Sequence, residues 1–306
     1  MSKIYFPQVF FSKIAIIQMM SRLKQVIMDA EAKGVGIGHF NVSDLQGIKA
    51  VVAAAQELQV PVIIGVSEGE RKFLGAAEVA AIVKIERERT GLPIYLNADH
   101  AKSLDGVKEI IDAGFDSVTA DASALSLEEN IEYIKQCRQY ANEKAADILI
   151  EGELGNIGVS SQIWENMPEG LETEEENLTN PEVAAQFVRE SGVDLLAPAV
   201  GSVHGLIKGG QPKLNINRVG AIRNSVGIPL VLHGASGNTV EEVQSAIKAG
   251  CVIVHINTEL RVAYRRGLEK ALMEHPNEVA PYKYFAEAVE EMKQLVIEKL
   301  RMINFL

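Results

Sequence analysis

The feature that most constrains this chain is a repeated pattern in which a short apolar or β-branched run is followed by an amphipathic helical stretch. Such alternation is typical of βα units that build a parallel sheet covered by helices. Several helical stretches also have N-cap residues or a glycine just after their end, as at Ser103, Asn180 and Gly114. The eight apolar runs lie at residues 35–41, 60–67, 93–100, 117–121, 147–153, 194–200, 229–233 and 252–257.

Eight consecutive βα units predict an α/β fold, a (β/α)8 TIM barrel, and a doubly wound open sheet is the alternative. The chain has 306 residues, of which 47% are hydrophobic and 23% charged, a composition typical of globular proteins. We expect residues 21–306 to form a single barrel catalytic domain that ends in an extra helix over 282–302. Residues 1–20 are interpreted as an N-terminal extension, with a signal peptide or a misplaced translation start as alternatives.

Charge and cysteine content exclude several classes of function. The formal net charge is −11 and no block of Lys or Arg occurs, so we expect no nucleic-acid partner. No apolar run reaches the roughly 18 residues of a membrane span. Cys137 and Cys251 are the only cysteines and lie in no CxxC pair, which favours a reducing, cytoplasmic location over a disulfide framework.

Histidines are concentrated at the ends of the predicted strands. Active sites of (β/α)8 barrels form where the C-terminal ends of the strands meet. Three imidazoles around an open coordination position are a usual catalytic zinc arrangement, so this constellation predicts a metal site, although a single strand-end histidine is more often structural. Five of the six histidines are at such positions: His39, His100, His204, His233 and His255.

Carboxylates and glycine-rich turns occur at the same strand ends. Asp99 directly precedes His100, and it has two interpretations: a general acid/base beside a metal-bound substrate, or a carboxylate that orients a metal ligand. Asp121 and Glu151 are interpreted as hydrogen-bond partners inside the barrel mouth. Backbone N–H groups and hydroxyls in the turns after the last three strands predict a phosphate cradle at residues 201–205, 234–237 and 257–258.

Other patterns narrow the chemistry further. No predicted strand carries a lysine near its C-terminal end, which argues against Schiff-base catalysis. No P-loop and no GxGxxG segment follows the first strand, so nucleotide chemistry has little support. The long, Glu-rich segment 155–179 lacks periodicity and is interpreted as a functional lid or a disordered stretch.

Four segments carry a resemblance to a known family: LNADHAKSLD at 96–105, IEGELGNIG at 150–158, GSVHGLIKGGQPKLN at 201–215 and LVLHGASG at 230–237. They resemble the signature motifs of the class II, zinc-dependent ketose-bisphosphate (fructose-bisphosphate) aldolases. The resemblance covers residues 21–266, in order. It implies a (β/α)8 barrel lyase that cleaves a ketose 1,6-bisphosphate, with fructose 1,6-bisphosphate as the expected substrate, into dihydroxyacetone phosphate and glyceraldehyde 3-phosphate.

The same resemblance implies roles for individual residues. It implies zinc ligands at His100, His204 and His233. It also implies that Glu153 holds the metal in an alternative position, and that Asp99 is the acid/base on the aldehyde-derived oxygen. A monovalent cation (Na⁺ or K⁺) near the phosphate and a homo-oligomer, dimer or tetramer, are further implications. The positions that match substrate contacts are Asn41, Ser67, Gly205, Lys208, Gly234, Ser236, Asn257 and Thr258.

The chain departs from the family pattern at two strand ends and in the long loop. The family usually has His at the position of Asn97, and Lys and Asn at those of Ile253 and His255. His255 therefore either replaces the Asn as a substrate donor or crowds the zinc. The GG-x-E-D segment that supplies the carboxylate for the C3 proton corresponds to residues 159–162, VSSQ. Two other loop residues could substitute only if the loop folds differently: Glu165 and Glu169.

These departures leave three hypotheses open. The first is a class II aldolase that acts on fructose 1,6-bisphosphate. The second is a divergent aldolase that acts on tagatose bisphosphate or another phosphorylated keto-sugar. The third is a weakly active paralogue that binds zinc or a sugar phosphate without efficient turnover.

Overall fold

Eight parallel strands close into a barrel, which confirms the predicted (β/α)8 fold and excludes the doubly wound sheet. The barrel strands are β1 (Ile37–Asn41), β2 (Val62–Ser67), β3 (Ile94–Ala101), β4 (Ser117–Ala120), β5 (Leu149–Leu154), β7 (Leu195–Pro198), β9 (Leu230–Leu232) and β10 (Cys251–Ile256). Their order around the barrel is β1-β10-β9-β7-β5-β4-β3-β2. This computed structural model describes residues 23–144, 146–158, 161–167, 173 and 175–306, so the extension predicted at 1–20 lies outside the described residues.

Helices connect the strands and cover the outside of the barrel. They are α1 (Leu23–Lys33), α2 (Leu45–Leu58), α3 (Glu68–Leu74), α4 (Ala76–Thr90), α5 (Leu104–Ala113), α6 (Leu127–Glu143), α7 (Pro181–Ser191), α8 (Ile216–Val226), α9 (Val240–Ala249), α10 (Thr258–Glu274) and α11 (Pro281–Asn304). Helix α11 confirms the extra C-terminal helix. Among the described residues, no helix combines the length and apolarity that a membrane crossing requires.

The helix ends follow the capping chemistry of the sequence. Ser103 accepts a hydrogen bond from the backbone N–H of Gly106, and Asn180 caps α7 ahead of Pro181. Gly114 ends α5 in the left-handed region, with φ 82°, where a β-carbon would be strained. These caps fix where each helix starts and stops, and therefore how far each strand end projects towards the barrel mouth.

Two buried layers hold the barrel together. Between the helices and the outer strand faces lies a large apolar core that includes Phe40, Ile64 and Phe187. A second cluster fills the lower interior, where side chains of α1 such as Leu23 and Ile27 pack with residues of the strands. Helix α1 thereby closes one end of the barrel, and the polar strand ends are left to form the opposite mouth.

A small parallel sheet that the sequence pattern did not predict joins two of the loops. Strand β6 (Ile163–Trp164) follows β5, and β8 (Leu206–Ile207) follows β7. The N–H of Leu206 donates to the carbonyl of Gln162 at 2.8 Å, and the N–H of Lys208 donates to that of Trp164 at 2.9 Å. The loop after β5 is therefore attached to the turn that contains His204.

Contact between α10 and α11 depends on a glycine. A β-carbon at Gly267 would lie 2.6 Å from Cα of Ala288, a fully buried residue of α11. Because backbone cannot yield as a flexible side chain can, we expect Gly267→Ala to lower the free energy of unfolding by about 1–3 kcal/mol. The matched control is Gly220→Ala in α8, where a β-carbon would meet nothing within 4 Å.

At Gly220 the usual helix preference for alanine should raise stability by about 0.5–1 kcal/mol. Urea unfolding followed by circular dichroism measures both variants. If both substitutions shift stability in the same direction, the close approach of α11 to Gly267 does not govern this contact.

Candidate metal centre and active site

The predicted strand-end residues converge on one cavity of about 430 Å³ at the C-terminal mouth of the barrel. Its size is within the range of small-molecule sites. The predicted site residues that line this cavity are Asn41, Ser67, Asp99, His100, His204, Gly205, Gly234, Ser236, His255, Asn257 and Thr258.

Three imidazoles surround a common centre in the mouth. The ring centroids of His100 and His204 are 5.3 Å apart, those of His100 and His233 5.2 Å, and those of His204 and His233 5.6 Å. One ring nitrogen from each lies within 4.8 Å of the others. The three strands β3, β7 and β9, or the turns that follow them, thus supply the three nitrogens that the sequence predicted for a metal.

In each ring the other nitrogen is held by an acceptor. Carbonyl oxygens and ionised carboxylates can only accept hydrogen bonds. Beside such an acceptor, a neutral ring carries its proton on the outer nitrogen and keeps a lone pair on the inner one. The inner nitrogen of His233, Nδ1, is buried and has no hydrogen-bond partner among the residues that the structure describes. The pairs are His100 Nδ1 with Asp121 Oδ2 at 3.0 Å, His204 Nδ1 with the carbonyl of Gly158 at 2.6 Å, and His233 Nε2 with Glu151 Oε1 at 2.7 Å.

An irregularity in β3 aims two consecutive residues at the site. Strict alternation along a strand would send Asp99 and His100 to opposite faces. The β3–β4 pairing shifts register between Ala98 and Ala101, and His100 adopts a left-handed φ of 54°. His100 Nε2 consequently lies only 3.6 Å from Asp99 Oδ1, so both side chains serve one centre.

A buried arginine stabilises this irregular backbone. Arg71, in α3, donates from Nη1 to the carbonyls of Val66 at 2.6 Å and Asp99 at 3.2 Å, and from Nη2 to the carbonyl of His100 at 3.3 Å. Backbone carbonyls that leave the ladder are thus paired with a charged donor. Sequence reasoning missed Arg71, because nothing in its local pattern distinguishes it from a surface residue of a short helix.

The charges around the imidazoles create a site that suits a cation. Burial lowers the pKa of His204 and His233 to about 3, so both are neutral and available as ligands. Burial opposes protonation of His100 too, but Asp99, Asp121 and Glu153 raise its pKa to about 10. These three carboxylates place negative charge around His100, and a divalent cation bound at the centre would neutralise that charge.

Glu153 lies beside the same centre. Its Oε2 is buried, 3.6 Å from His100 Nδ1 and 3.8 Å from His233 Nδ1, and no described residue forms a hydrogen bond with it. Burial raises the pKa of Glu153 to about 8. This buried carboxylate oxygen beside two of the imidazoles is a further candidate donor, and a donor set of nitrogens and carboxylate fits zinc.

Asp99 offers one free oxygen to the cavity. Its Oδ2 accepts a hydrogen bond from Asn41 Nδ2 at 2.8 Å, whereas no hydrogen bond to its buried Oδ1 occurs within the described part of the chain. Burial would raise the pKa of Asp99, but the neighbouring imidazoles of His100 and His255 hold it well below its usual range. The geometry therefore presents an ionised carboxylate with one oxygen available to a substrate hydroxyl.

The turns after β7 and β9 contribute backbone to the same cavity. Gly205 and Gly234 have φ values of 108° and 64°, and a β-carbon at Gly234 would lie 2.6 Å from the carbonyl carbon of Val203. Only glycine fits this conformation and this approach. Ser236 Oγ accepts the N–H of Asn257 at 3.3 Å, which ties the turn after β9 to the start of α10.

Four predicted residues are not part of the cavity lining: His233 and Glu153 are buried beside the three-imidazole centre, whereas Lys208 and Glu165 are exposed. Lys208 Nζ pairs with Glu165 Oε1 at 2.6 Å, and both side chains are exposed. The loop instead contributes Ser161 and Gln162 to the cavity lining. Glu169 and residues 159–160 lie outside the described residues. No carboxylate from the described part of this loop lines the cavity.

A polar network links the cavity wall to α3. Glu70 Oε2 accepts from the backbone N–H of Ser67 at 2.7 Å and from Asn41 Nδ2 at 3.2 Å, while Glu70 Oε1 accepts from Arg261 at 2.6 Å. Sequence reasoning missed Glu70 and Arg261. The Ser67-x-x-Glu70 spacing is a capping box and could have identified Glu70 as a structural partner.

These features define a (β/α)8 barrel enzyme with a candidate metal centre at its mouth. The model of the family "Fructose-bisphosphate aldolase class-II" matches residues 21–305. Fructose-bisphosphate aldolase of Geobacillus stearothermophilus is 36% identical over 282 residues, covering 91% of this chain and 95% of that protein. The Staphylococcus epidermidis enzyme of the same name is 34% identical over 282 residues, covering 91% and 95%.

Solved structures agree. The YdjI aldolase from Escherichia coli K12 superposes with a TM-score of 0.78 at 28% identity, covering 92% of this chain and 97% of that one. The Campylobacter jejuni fructose-bisphosphate aldolase also has a TM-score of 0.78, at 24% identity with coverage of 93% and 94%, and supports the fold alone. The chain belongs to the class II fructose-bisphosphate aldolase family, whose members are metal-dependent lyases.

The acceptors that orient the imidazoles should control metal affinity. Glu151→Gln removes the negative charge opposite His233 Nε2, and we expect it to weaken metal binding by about 10–100-fold with an unchanged circular dichroism spectrum. Competition against a chromophoric chelator measures this loss. The matched control, Glu298→Gln on the exposed face of α11, should leave metal affinity unchanged. Equal affinity in the two variants would contradict the orienting role of Glu151.

Proposed function

We propose that this chain is a zinc-dependent aldolase that cleaves fructose 1,6-bisphosphate to dihydroxyacetone phosphate and glyceraldehyde 3-phosphate, and catalyses the reverse condensation. The observation that carries the proposal is the set of three imidazoles, each with one nitrogen committed to an acceptor, beside a carboxylate with a free oxygen. The names of the relatives at 34–36% identity support the same reaction.

The three imidazoles of His100, His204 and His233 would hold the zinc ion, and Glu153 would hold it in an alternative position. Nitrogen donors favour zinc over magnesium or calcium, which prefer oxygen ligands. When bound, the ion would act as a Lewis acid that polarises the ketone of the substrate.

Asp99 would move the proton that accompanies cleavage. When the C3–C4 bond breaks, the hydroxyl on C4 loses its proton and becomes the aldehyde, while the electron pair of the bond stays with the three-carbon ketone fragment. Asp99 Oδ1 is the acceptor, because Oδ2 is already hydrogen-bonded to Asn41. In the condensation direction the same oxygen returns the proton.

The backbone surface after β7 and β9 would hold the phosphate of the ketone fragment. The chain carries a net charge of −11, so a doubly anionic sugar must be attracted locally rather than by the overall field. Backbone N–H groups near Gly205 and Gly234, together with the side chains of Ser236, Asn257 and Thr258, supply donors there. A monovalent cation, Na⁺ or K⁺, near this phosphate is part of the proposal.

One observation favours a second candidate substrate. Ser161 and Gln162 line the cavity where the family's loop carries a carboxylate, and His255 occupies the position of the usual Asn. Different residues in the cavity wall would change which arrangement of sugar hydroxyl groups the site recognises. Tagatose 1,6-bisphosphate or another phosphorylated keto-sugar is therefore the alternative.

The proposal also includes the quaternary arrangement. We infer a single catalytic domain over residues 21–306 that assembles as a homodimer or homotetramer in the cytoplasm. Apolar side chains at the start of α11 and just before it, such as Tyr282 and Val279, are 77% and 85% exposed, and their burial against a second copy would support assembly.

Activity measurements with and without metal test the reaction. We expect cleavage of fructose 1,6-bisphosphate, followed as triose phosphate release, to stop after treatment with a chelator and to return when zinc is restored. Borohydride should not trap the enzyme, since no Schiff base forms. Tagatose 1,6-bisphosphate is assayed in parallel. Cleavage that continues after complete removal of the metal would contradict the zinc mechanism.

Substitution of Asp99 separates its two interpretations. We expect Asp99→Ala to lower turnover by about 10²–10⁴-fold while the zinc content stays near one per chain, because the proton acceptor is lost and the ligands remain. Loss of zinc instead would make Asp99 an orienter of His100. The control, Glu165→Gln, should keep nearly full turnover, because Glu165 pairs with Lys208 away from the cavity lining.

A further inference from the structure

A layer of polar side chains crosses the barrel interior and contributes His255 to the cavity lining. His39 in β1 and His255 in β10 are register partners, and their rings stack in parallel with centroids 3.5 Å apart and an interplanar angle of 2°. On its other side His255 stacks on His233, at 4.0 Å and 26°. His255 is thus held between two other imidazoles.

The outer ring of this stack is fixed by neighbouring strands. His39 Nε2 contacts Asn97 Oδ1 at 3.1 Å, and Asn97 Nδ2 donates to Ser117 Oγ at 2.9 Å. Because Asn97 uses its amide hydrogens on Ser117, its oxygen faces His39, and His39 must carry its proton on Nε2. Between β1 and β3 lies β2, where Gly65 leaves the necessary space: a β-carbon there would lie 2.1 Å from Cε1 of His39.

Residues His39, Asp99 and His255 could be taken for a second metal site, since their ligand atoms lie within 4.8 Å of one another. The stacking excludes that interpretation. An imidazole binds a metal in the plane of its ring, and two parallel rings 3.5 Å apart have no such point in common.

The edge of His255 faces the carboxylate of Asp99 instead. His255 Nδ1 lies 3.5 Å from Asp99 Oδ1, while the buried His255 Nε2 forms no hydrogen bond with any described residue. An unprotonated Nδ1 would set a lone pair against a carboxylate in a buried site, so the proton belongs on Nδ1. Asn41 on Oδ2 and His255 beside Oδ1 then limit the rotation of the Asp99 carboxylate from both sides.

We propose that His255 is a positioning residue for Asp99, held by the His39–His255–His233 stack so that its Nδ1–H group directs Asp99 Oδ1 into the cavity. This inference rests on the proposed function, because it assigns His255 to the carboxylate that moves the proton. His255 contacts neither the inner nitrogens of the metal centre nor the glycine turns through a hydrogen bond, so its effect is exerted through Asp99.

Two substitutions at His255 separate the donor from the bulk of the ring. Leu keeps an apolar side chain of similar reach but has no donor, whereas the amide nitrogen of Asn stands close to the place of Nδ1. We expect His255→Leu to lower kcat by about tenfold or more, as removal of a hydrogen bond to a charged group does, with KM within about twofold of wild type. His255→Asn should stay within about threefold of wild type in kcat.

Zinc content and the thermal midpoint of the holoenzyme are measured for both variants. Equal losses of kcat in the Leu and Asn variants, or a change confined to KM, would overturn the positioning role. A loss of zinc in the Leu variant with full turnover per zinc would also overturn it, because His255 would then act on the metal centre.

Nitrogen-15 NMR of the histidine side chains in the wild-type holoenzyme gives a readout that does not depend on turnover. We expect the Nδ1–H tautomer for His255 and the Nε2–H tautomer for His39. The opposite tautomer at His255 would overturn the inference even if the enzyme is active. If the wild type cleaves no sugar bisphosphate, the proposed function fails and the tautomer still decides whether His255 faces Asp99 as a donor.

A remote variant tests the stack itself. Gly65→Ala removes no polar group, but its β-carbon would overlap with the ring of His39. We expect its effect on kcat to resemble that of His255→Leu, with the His255 nitrogen resonances shifted. The matched control is Gly220→Ala in α8, away from the cavity lining, and it should leave both readouts unchanged. Wild-type kcat and unshifted resonances in Gly65→Ala would show that the stack does not hold His255.

Discussion

The rest of the site depends on one constraint: each imidazole of the candidate metal centre has one nitrogen bound to an acceptor from a different part of the barrel. A carboxylate from β5 orients His233, a residue just after β4 orients His100, and a backbone carbonyl from the loop after β5 orients His204. Ring orientation is therefore set by the mutual positions of the strands. A barrel with the same residues and a shifted register would present protons where lone pairs are needed.

Electrostatics and geometry support one another in this arrangement. Carboxylates that orient the rings also surround them with negative charge, which raises the pKa of His100 while burial keeps His204 and His233 neutral. The same negative surroundings would repel a sugar phosphate. A cation at the centre and backbone donors at the glycine turns would reconcile these demands, because each would place positive potential close to the anion rather than across the whole surface.

Much of this could be predicted from the sequence. Eight βα repeats determine the closed sheet, and the strand-end histidines, with the glycine turns, indicate where the cavity lies. Prediction from the sequence failed for features that depend on backbone geometry or on contacts between residues far apart in the chain. The left-handed φ of His100 accompanies a register shift in the strand pairing, and Arg71 donates to backbone carbonyls, which a sequence pattern cannot identify. The acceptor for His204 is likewise a backbone carbonyl, that of Gly158. Glu165 has the right chemistry, but its contact with Lys208 keeps it away from the cavity.

The empty space at Gly65 has an evolutionary consequence. A side chain at that position would occupy the volume of the His39 ring, so a lineage could acquire histidine at 39 only after glycine was present at 65. Histidine at 39 requires glycine at 65, but glycine at 65 does not require histidine at 39, because a smaller residue also fits there. Comparison of related sequences should therefore show histidine at 39 nested within the set that has glycine at 65. The packing of the barrel interior therefore indicates that glycine at 65 arose before histidine at 39.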